Sequence, residues 1–205
     1  MNICFICSEY PPYKCGGIGN FVKSIAEKFV ANGHRVKVIG LYNDFNQDLH
    51  ESINGVKVTR LKKSNGRYRV IHDILMVRGI IDKWIKNNEI DLVEDNDWDC
   101  YSFLFMRLKC KITLRLHNPD LYNRNNSLKL SVLNWIKIKA SSKNCDSIIS
   151  VSNYTKNLFI DKFGFSIKTT TIHNGVALAK GFPPFENRVP NHVIFVGSLV
   201  KKKGV

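Results

Sequence analysis

Residues 1–42 read MNICFICSEYPPYKCGGIGNFVKSIAEKFVANGHRVKVIGLY, and three patterns succeed one another in them. ICFIC is a short apolar run between polar neighbours, as in a strand buried on both faces. Past Gly16, Gly17 and Gly19, the apolar residues Ile18, Phe21, Val22, Ile25, Ala26, Phe29 and Val30 recur at helical spacing, and Gly33 marks the stop. RVKVIGLY is a second strand. Strand, loop, helix and strand make a βαβ unit, whose crossover demands parallel pairing.

The alternation continues down the chain. GVKVTRL reads as a strand, 70–88 as a helix, IDLVED as a strand, 99–108 as a short helix, KITLRLH as a strand, 127–143 as a helix and DSIISVS as a strand. Ser152 suits the N-cap of YTKNLFIDKF, Gly164 its end, and IKTTTIHN supplies one more strand. The expected fold is α/β: a doubly wound, Rossmann-like parallel sheet with helices on both faces. It spans 1–173. Residues 174–192, NGVALAKGFPPFENRVPNH, hold three of the six prolines without a period and read as a linker; 193–205 read as the first strand and turn of another domain.

Composition narrows the classes. Hydrophobic residues make up 44% of the 205 and charged residues 23%, and no run of eighteen apolar residues occurs, which fits a globular chain rather than a spanning one. The first residues carry no basic leader or small-residue cleavage site, so a cytoplasmic protein is expected. Six scattered cysteines then read as free thiols. Cys4 and Cys7 form a CxxC inside a strand, where core filling is the stronger reading. The formal net charge of +14 calls for an anionic partner: nucleic acid, acidic lipid or a phosphorylated substrate. No recognised nucleic-acid motif or stacking array accompanies the charge, and no nucleic-acid partner is expected.

In a doubly wound sheet, ligands bind beyond the carboxyl ends of the strands, where the loop of Gly16, Gly17 and Gly19 lies. Its N–H groups and the helix dipole could hold a phosphate or a sugar hydroxyl; equally, the glycines could serve only a tight turn. The loop departs from the dinucleotide fingerprint. Gly17 and Gly19 satisfy its first pair, but Val22 stands at the third glycine and the second strand ends in Gly40-Leu41-Tyr42, without an acid.

SEYPPYKCGGIGNFVKSIAEKFVANGHRVKVIG resembles the amino-terminal signature of the large retaining glycosyltransferase family with the GT-B fold (group 1, family 4 type). LRLHNP, IISVSNYTKNLF, TTIHNGV and VIFVGSLVKKKGV resemble later segments of the same family, in the same order. The resemblance implies the N-terminal, acceptor-side half of the fold, with the donor bound mainly by a second domain and transfer in the cleft between them. It implies a nucleotide-sugar donor as substrate, a glycan or lipid-linked acceptor, retained stereochemistry, no metal and no cofactor. The setting it suggests is bacterial surface polysaccharide or lipopolysaccharide assembly. With only the first strand of the donor half, the 205 residues alone are expected to be inactive.

His117 matches the family's cleft histidine, near the reacting carbon; by itself it would read as a loop histidine. Gly16, Gly17 and Gly19 should face donor phosphate and acceptor. Asp95, Asn96, Asp97 and Asp99 crowd the end of a strand beside Trp98, and either hold acceptor hydroxyls, with Asp97 the chosen candidate, or form a polar turn. Lys203, with Gly204, matches the lysine that pairs with the donor diphosphate. Ser198 stands where many members have arginine, so Lys201 or Lys202 would have to compensate. Asn174 and Gly175 look like junction residues, and Ala177 replaces a frequent Asp.

Two basic clusters suggest peripheral contact with an anionic membrane on its inner face. One holds Lys57, Arg60, Lys62, Lys63, Arg67 and Arg69; the other mixes Lys129, Lys137, Lys139 and Lys143 with Leu133, Trp135, Ile136 and Ile138. A buried apolar face with solvated lysines is the plainer reading of the second. The rival to an enzyme is a non-catalytic anion-binding module on the same fold.

Overall fold

A computed structural model of the chain describes residues 1–13, 15–66, 68–106, 108–118, 128–164, 169–176, 181 and 189–197, with 128–131 described in backbone only. The strands are β1 (Asn2–Ile6), β2 (Arg35–Tyr42), β3 (Leu49–Ile53), β4 (Val56–Lys62), β5 (Leu92–Asn96), β6 (Lys111–Leu116), β7 (Ser147–Ser150) and β8 (Thr169–Thr171). The helices are α1 (Gly17–Ala31), α2 (Arg69–Lys86), α3 (Leu128–Asn144) and α4 (Asn153–Phe163). The strands join in one sheet in the order β3-β4-β2-β1-β5-β6-β7-β8, parallel throughout except for β3. The expected doubly wound sheet is present.

Alternation along β1 assigns the two layers of core, since successive side chains leave opposite faces of a strand. Ile3 and Phe5 pack with Val22 and Ala26 of α1 and with Val36, Val38, Val56 and Val58. Cys4 and Ile6 point the other way, into a larger cluster with Ile74, Val77 and Ile81 of α2, Ile138 of α3 and Phe159 of α4. Cys4 and Cys7 are buried core residues, and all six cysteines are free.

Caps follow the sequence. The Ser152 hydroxyl accepts the N–H of Thr155 at 3.1 Å, and Gly164 closes α4 with φ of 60°.

Three expectations need correction. β3 was not foreseen: LHESI carries too few apolar residues to announce itself, yet it forms an antiparallel edge strand. Its turn, Asn54-Gly55, has φ of 51° and 82°, positive at both positions as the tight hairpin turn requires. The helix over 99–108 is only a 3₁₀ turn at Tyr101–Leu104, because the Asn144 amide takes the carbonyls of Ser102 and Phe103 at 3.0 Å each. Residues 193–197 carry no strand. A strand needs a ladder, none of the described strands pairs with them, and Val193 is 98% exposed.

Candidate functional site

The chain runs outward from β1 to one side of the sheet and from β5 to the other, so the topology switches between those neighbours. Loops beyond the strand ends part at such a point and leave a crevice. The loop after β1, the turn after β5 and the residues after β6 all reach this edge, bringing together Gly16, Gly17, Gly19, Asp97 and His117.

The glycine loop holds an anion of its own. Gly16 N–H and Gly19 N–H donate to the two carboxylate oxygens of Glu9, at 3.1 and 2.8 Å. A carboxylate at the first turn of a helix is favoured by the free N–H groups and the positive dipole end. Gly19 is also required by space: a Cβ there would stand 1.9 Å from the Glu9 carbonyl oxygen. Gly17 differs, because a Cβ on it would meet nothing within 4 Å. Tight-turn packing thus accounts for Gly19, while Gly17 borders open space.

Arg60 of β4 fixes the start of that loop. Its side chain is fully buried and donates to the carbonyls of Tyr10 and Pro11 at 2.6 and 2.9 Å and to Glu51 at 2.5 Å. The guanidinium also lies over the rings of Tyr13 and Tyr42, at 4.6 and 5.0 Å. Arg60 therefore leaves the basic surface to which the sequence assigned it.

Asp97 and His117 form one device. Asp97 is 2% exposed, and its carboxylate accepts the backbone N–H of His117 at 3.0 Å and of Asn118 at 2.9 Å. Rather than lying open to an acceptor, this carboxylate fixes the backbone that presents His117. The His117 ring sits edge-on to Phe21 of α1 at 5.2 Å, and Phe21 in turn carries the Arg115 guanidinium at 4.8 Å. Arg115 is buried and forked onto Glu94 at 2.6 and 3.1 Å. Burial, and then the Arg115 charge, lower the His117 pKa to about 4, so the imidazole is neutral at physiological pH.

The other polar residues of the cluster are engaged within the fold. Asn96 spends its amide oxygen on the N–H groups of Trp98 and Asp99 and its amide nitrogen on the Ile6 carbonyl, lashing β5 to β1. Asp99 accepts Ser8 N–H at 3.2 Å. Asp95 is wholly buried; burial raises its pKa to about 7 against the backbone N–H bonds from Ser102 and Asn96. Trp98 alone of this turn projects outward, 60% exposed.

Beside Trp98 a cavity of about 400 Å³ opens between the ends of β2 and β4, the start of α2 and Lys137 of α3. A smaller one, bordered by Asp97, shares Trp98 and Lys137 as its wall. Sequence reasoning missed Glu9, Arg60, Phe21 and the Arg115–Glu94 pair, whose partners are distant in the chain and leave no local pattern. Ser198, Lys201, Lys202, Lys203, Gly204 and Ala177 lie outside the described residues. Asn174 and Gly175 are exposed and in no regular element. Among the described residues no group of three or more His, Cys, Asp or Glu side chains could hold a metal ion.

Comparisons with known proteins agree with this architecture. A family model described as Glycosyltransferase Family 4 matches residues 15–180. An uncharacterized 42.6 kDa protein in the cps region of Klebsiella pneumoniae is 26% identical over 208 residues, covering 86% of this chain and 56% of that protein. An uncharacterized glycosyltransferase of Methanocaldococcus jannaschii is 31% identical over 100 residues, covering 48% of this chain and 25% of that protein. The chain thus spans about half, and about a quarter, of the length of these relatives. Sucrose-phosphate synthase from Thermosynechococcus elongatus superimposes with a TM-score of 0.61 at 13% identity, over 83% of this chain and 47% of that one, a likeness of fold. With the glycine loop at the switch-point edge of the sheet and a family match over most of its length, the chain belongs to glycosyltransferase family 4 and has the fold of a GT-B N-terminal domain.

Proposed function

We propose that this chain is the acceptor-side half of a retaining glycosyltransferase that moves a sugar from a nucleotide-sugar donor to a glycan or lipid-linked acceptor. The observation that carries the reading is the neutral His117, held by Asp97 at the switch-point edge beside the glycine loop. A neutral imidazole can hydrogen-bond a donor sugar without placing positive charge beside an oxocarbenium-like centre. Gly17, with open space before it, lets a ligand approach the start of α1 closely. Residues 1–173 are read as this half, 174–192 as the connection and 193–205 as the onset of a donor half, with Ser198 and Lys203 at the diphosphate. No metal or other cofactor is assigned a step.

Surface polysaccharide assembly is the setting we read, with the cps-region relative in support. Peripheral attachment to an anionic membrane, from the cytoplasmic side, would bring the site to a lipid-linked acceptor. Among the described residues no helix is long and apolar enough to cross a membrane. The test offers the intact protein a panel of radiolabelled UDP-, GDP- and ADP-sugars with a glycolipid extract. Label should move to lipid or glycan from one donor, without added metal and with anomeric configuration retained; no transfer from any donor, or an inverted product, contradicts the reading.

A further inference from the structure

The cavity beside Trp98 has a charge arrangement that the proposed transfer does not by itself require. Among the described residues three cations line it: Lys63 just past β4, Arg69 at the start of α2, and Lys137 from α3 on the far side. They come from three separate elements, so their convergence is a property of the fold rather than of a basic run. Two acids of the described lining, Asp73 and Asp99, are both engaged. The Asp73 carboxylate accepts the backbone N–H of Ser64 with its two oxygens, at 3.1 and 3.2 Å, and Asp99 accepts Ser8 N–H and the Asn96 amide. Among the described residues no ion pair joins Lys63, Arg69 or Lys137 to an acid. Lys137 lies 5.7 Å from the Phe103 ring centre, a contact that places the ammonium without neutralising it.

We infer that this cavity is the acceptor subsite and that it takes a phosphate-bearing sugar, the phosphate going to Lys63, Arg69 and Lys137 and the sugar against Trp98. The inference rests on the glycosyltransferase reading and gives its acceptor a chemistry. The three converging cations outnumber the two carboxylates, whose oxygens already accept backbone and amide N–H groups, so the described lining is net positive and its cations keep free donors that a phosphate satisfies with charge-assisted hydrogen bonds. Asn43 and Asn65, also on the lining, offer amides to sugar hydroxyls, and an exposed indole offers a flat apolar face. The volume, about 400 Å³, lies in the range of small-molecule pockets. Trp98 and Lys137 are shared with the smaller cavity bordered by Asp97, so a bound acceptor lies one side chain from the carboxylate that positions His117.

Calorimetric titration of the intact protein tests this without any turnover. The probes are glucose, glucose 1-phosphate and geranyl diphosphate, the last two standing for a soluble sugar phosphate and a lipid-linked one. Saturable binding of at least one phosphate probe, with glucose at least tenfold weaker, is expected. Lys63→Ala, Arg69→Gln and Lys137→Ala should each weaken the phosphate probe by on the order of tenfold, while Lys83→Ala near the far end of α2 should not. The tighter of the two phosphate probes identifies the source of the phosphate. No saturable binding of either, equal binding of glucose, or binding indifferent to all three substitutions overturns the inference. Sugar transfer by a protein that fails this titration would leave the proposed function standing, and phosphate binding without transfer would do the reverse.

Discussion

At the residue scale, His117 and Asp95 give the fold two opposed responses to acid. As pH falls from 6.5 towards 4, the unfolded chain takes up a proton at His117 that the folded one refuses, so this group destabilises the fold. Asp95 acts oppositely: between about 4 and 7 the folded state keeps a proton that the unfolded state has lost, so its contribution declines as pH rises. Urea titrations of wild type and His117→Asn isolate the first. The variant should gain stability relative to wild type as pH drops from 7 to 4, by up to about 3 kcal/mol; a difference constant with pH would show that His117 is not held neutral. The glycines separate in the same way. Gly19→Ala drives a Cβ into the Glu9 carbonyl and should cost about 3 kcal/mol or more. Gly17→Ala meets nothing and should leave thermal stability within about 0.5 kcal/mol. Equal melting temperatures for the two variants would contradict the assigned packing.

At the scale of elements, legibility followed the kind of interaction that makes each one. β1, α1 and β2 were readable because burial on both faces writes a continuous apolar run and an amphipathic helix writes a 3.6-residue period. β3 was not, since an edge strand is half solvated and only Asn54-Gly55 announced its hairpin. The site was legible to the same degree. Glycines and a histidine at strand ends can be seen in sequence, whereas the Glu9 carboxylate at Gly16 and Gly19, or Asp97 behind His117, depends on tertiary approach across loops. Helix α3 divides between its two readings, with Ile138 buried in the core and Trp135 stacked on Phe163. Leu133 and Ile136 are exposed, and its inner face carries Ile138, Ser141 and Ser142. Exposed apolar residues with Lys139 and Lys143 on the same helix suit an anionic bilayer surface, each basic residue adding about 1 kcal/mol before screening. Sedimentation with phosphatidylglycerol vesicles should pull down the protein, and neutral vesicles should not; salt, or Leu133→Ser with Ile136→Ser, should release it. Equal recovery with both vesicle types would remove the membrane from the account.

At the scale of the whole molecule, one sheet brings the separate pieces to a common edge. The switch between β1 and β5 parts the loops at that edge. Buried Arg60 and Arg115 spend two of the 31 basic side chains on holding the edge, and cations such as Lys63, Arg69 and Lys137 remain on its open side. The proposed function rests on His117 being presented at this edge by Asp97. Steady-state transfer by the intact protein tests that claim most directly, with His117→Ala compared to wild type on the donor that supports transfer. Loss of one preorganised polar contact to the transition state typically lowers turnover by roughly 10²–10³-fold, so kcat should fall by that factor while the acceptor KM changes little. Unchanged kcat in His117→Ala, with the fold intact by circular dichroism, would place the chemistry elsewhere.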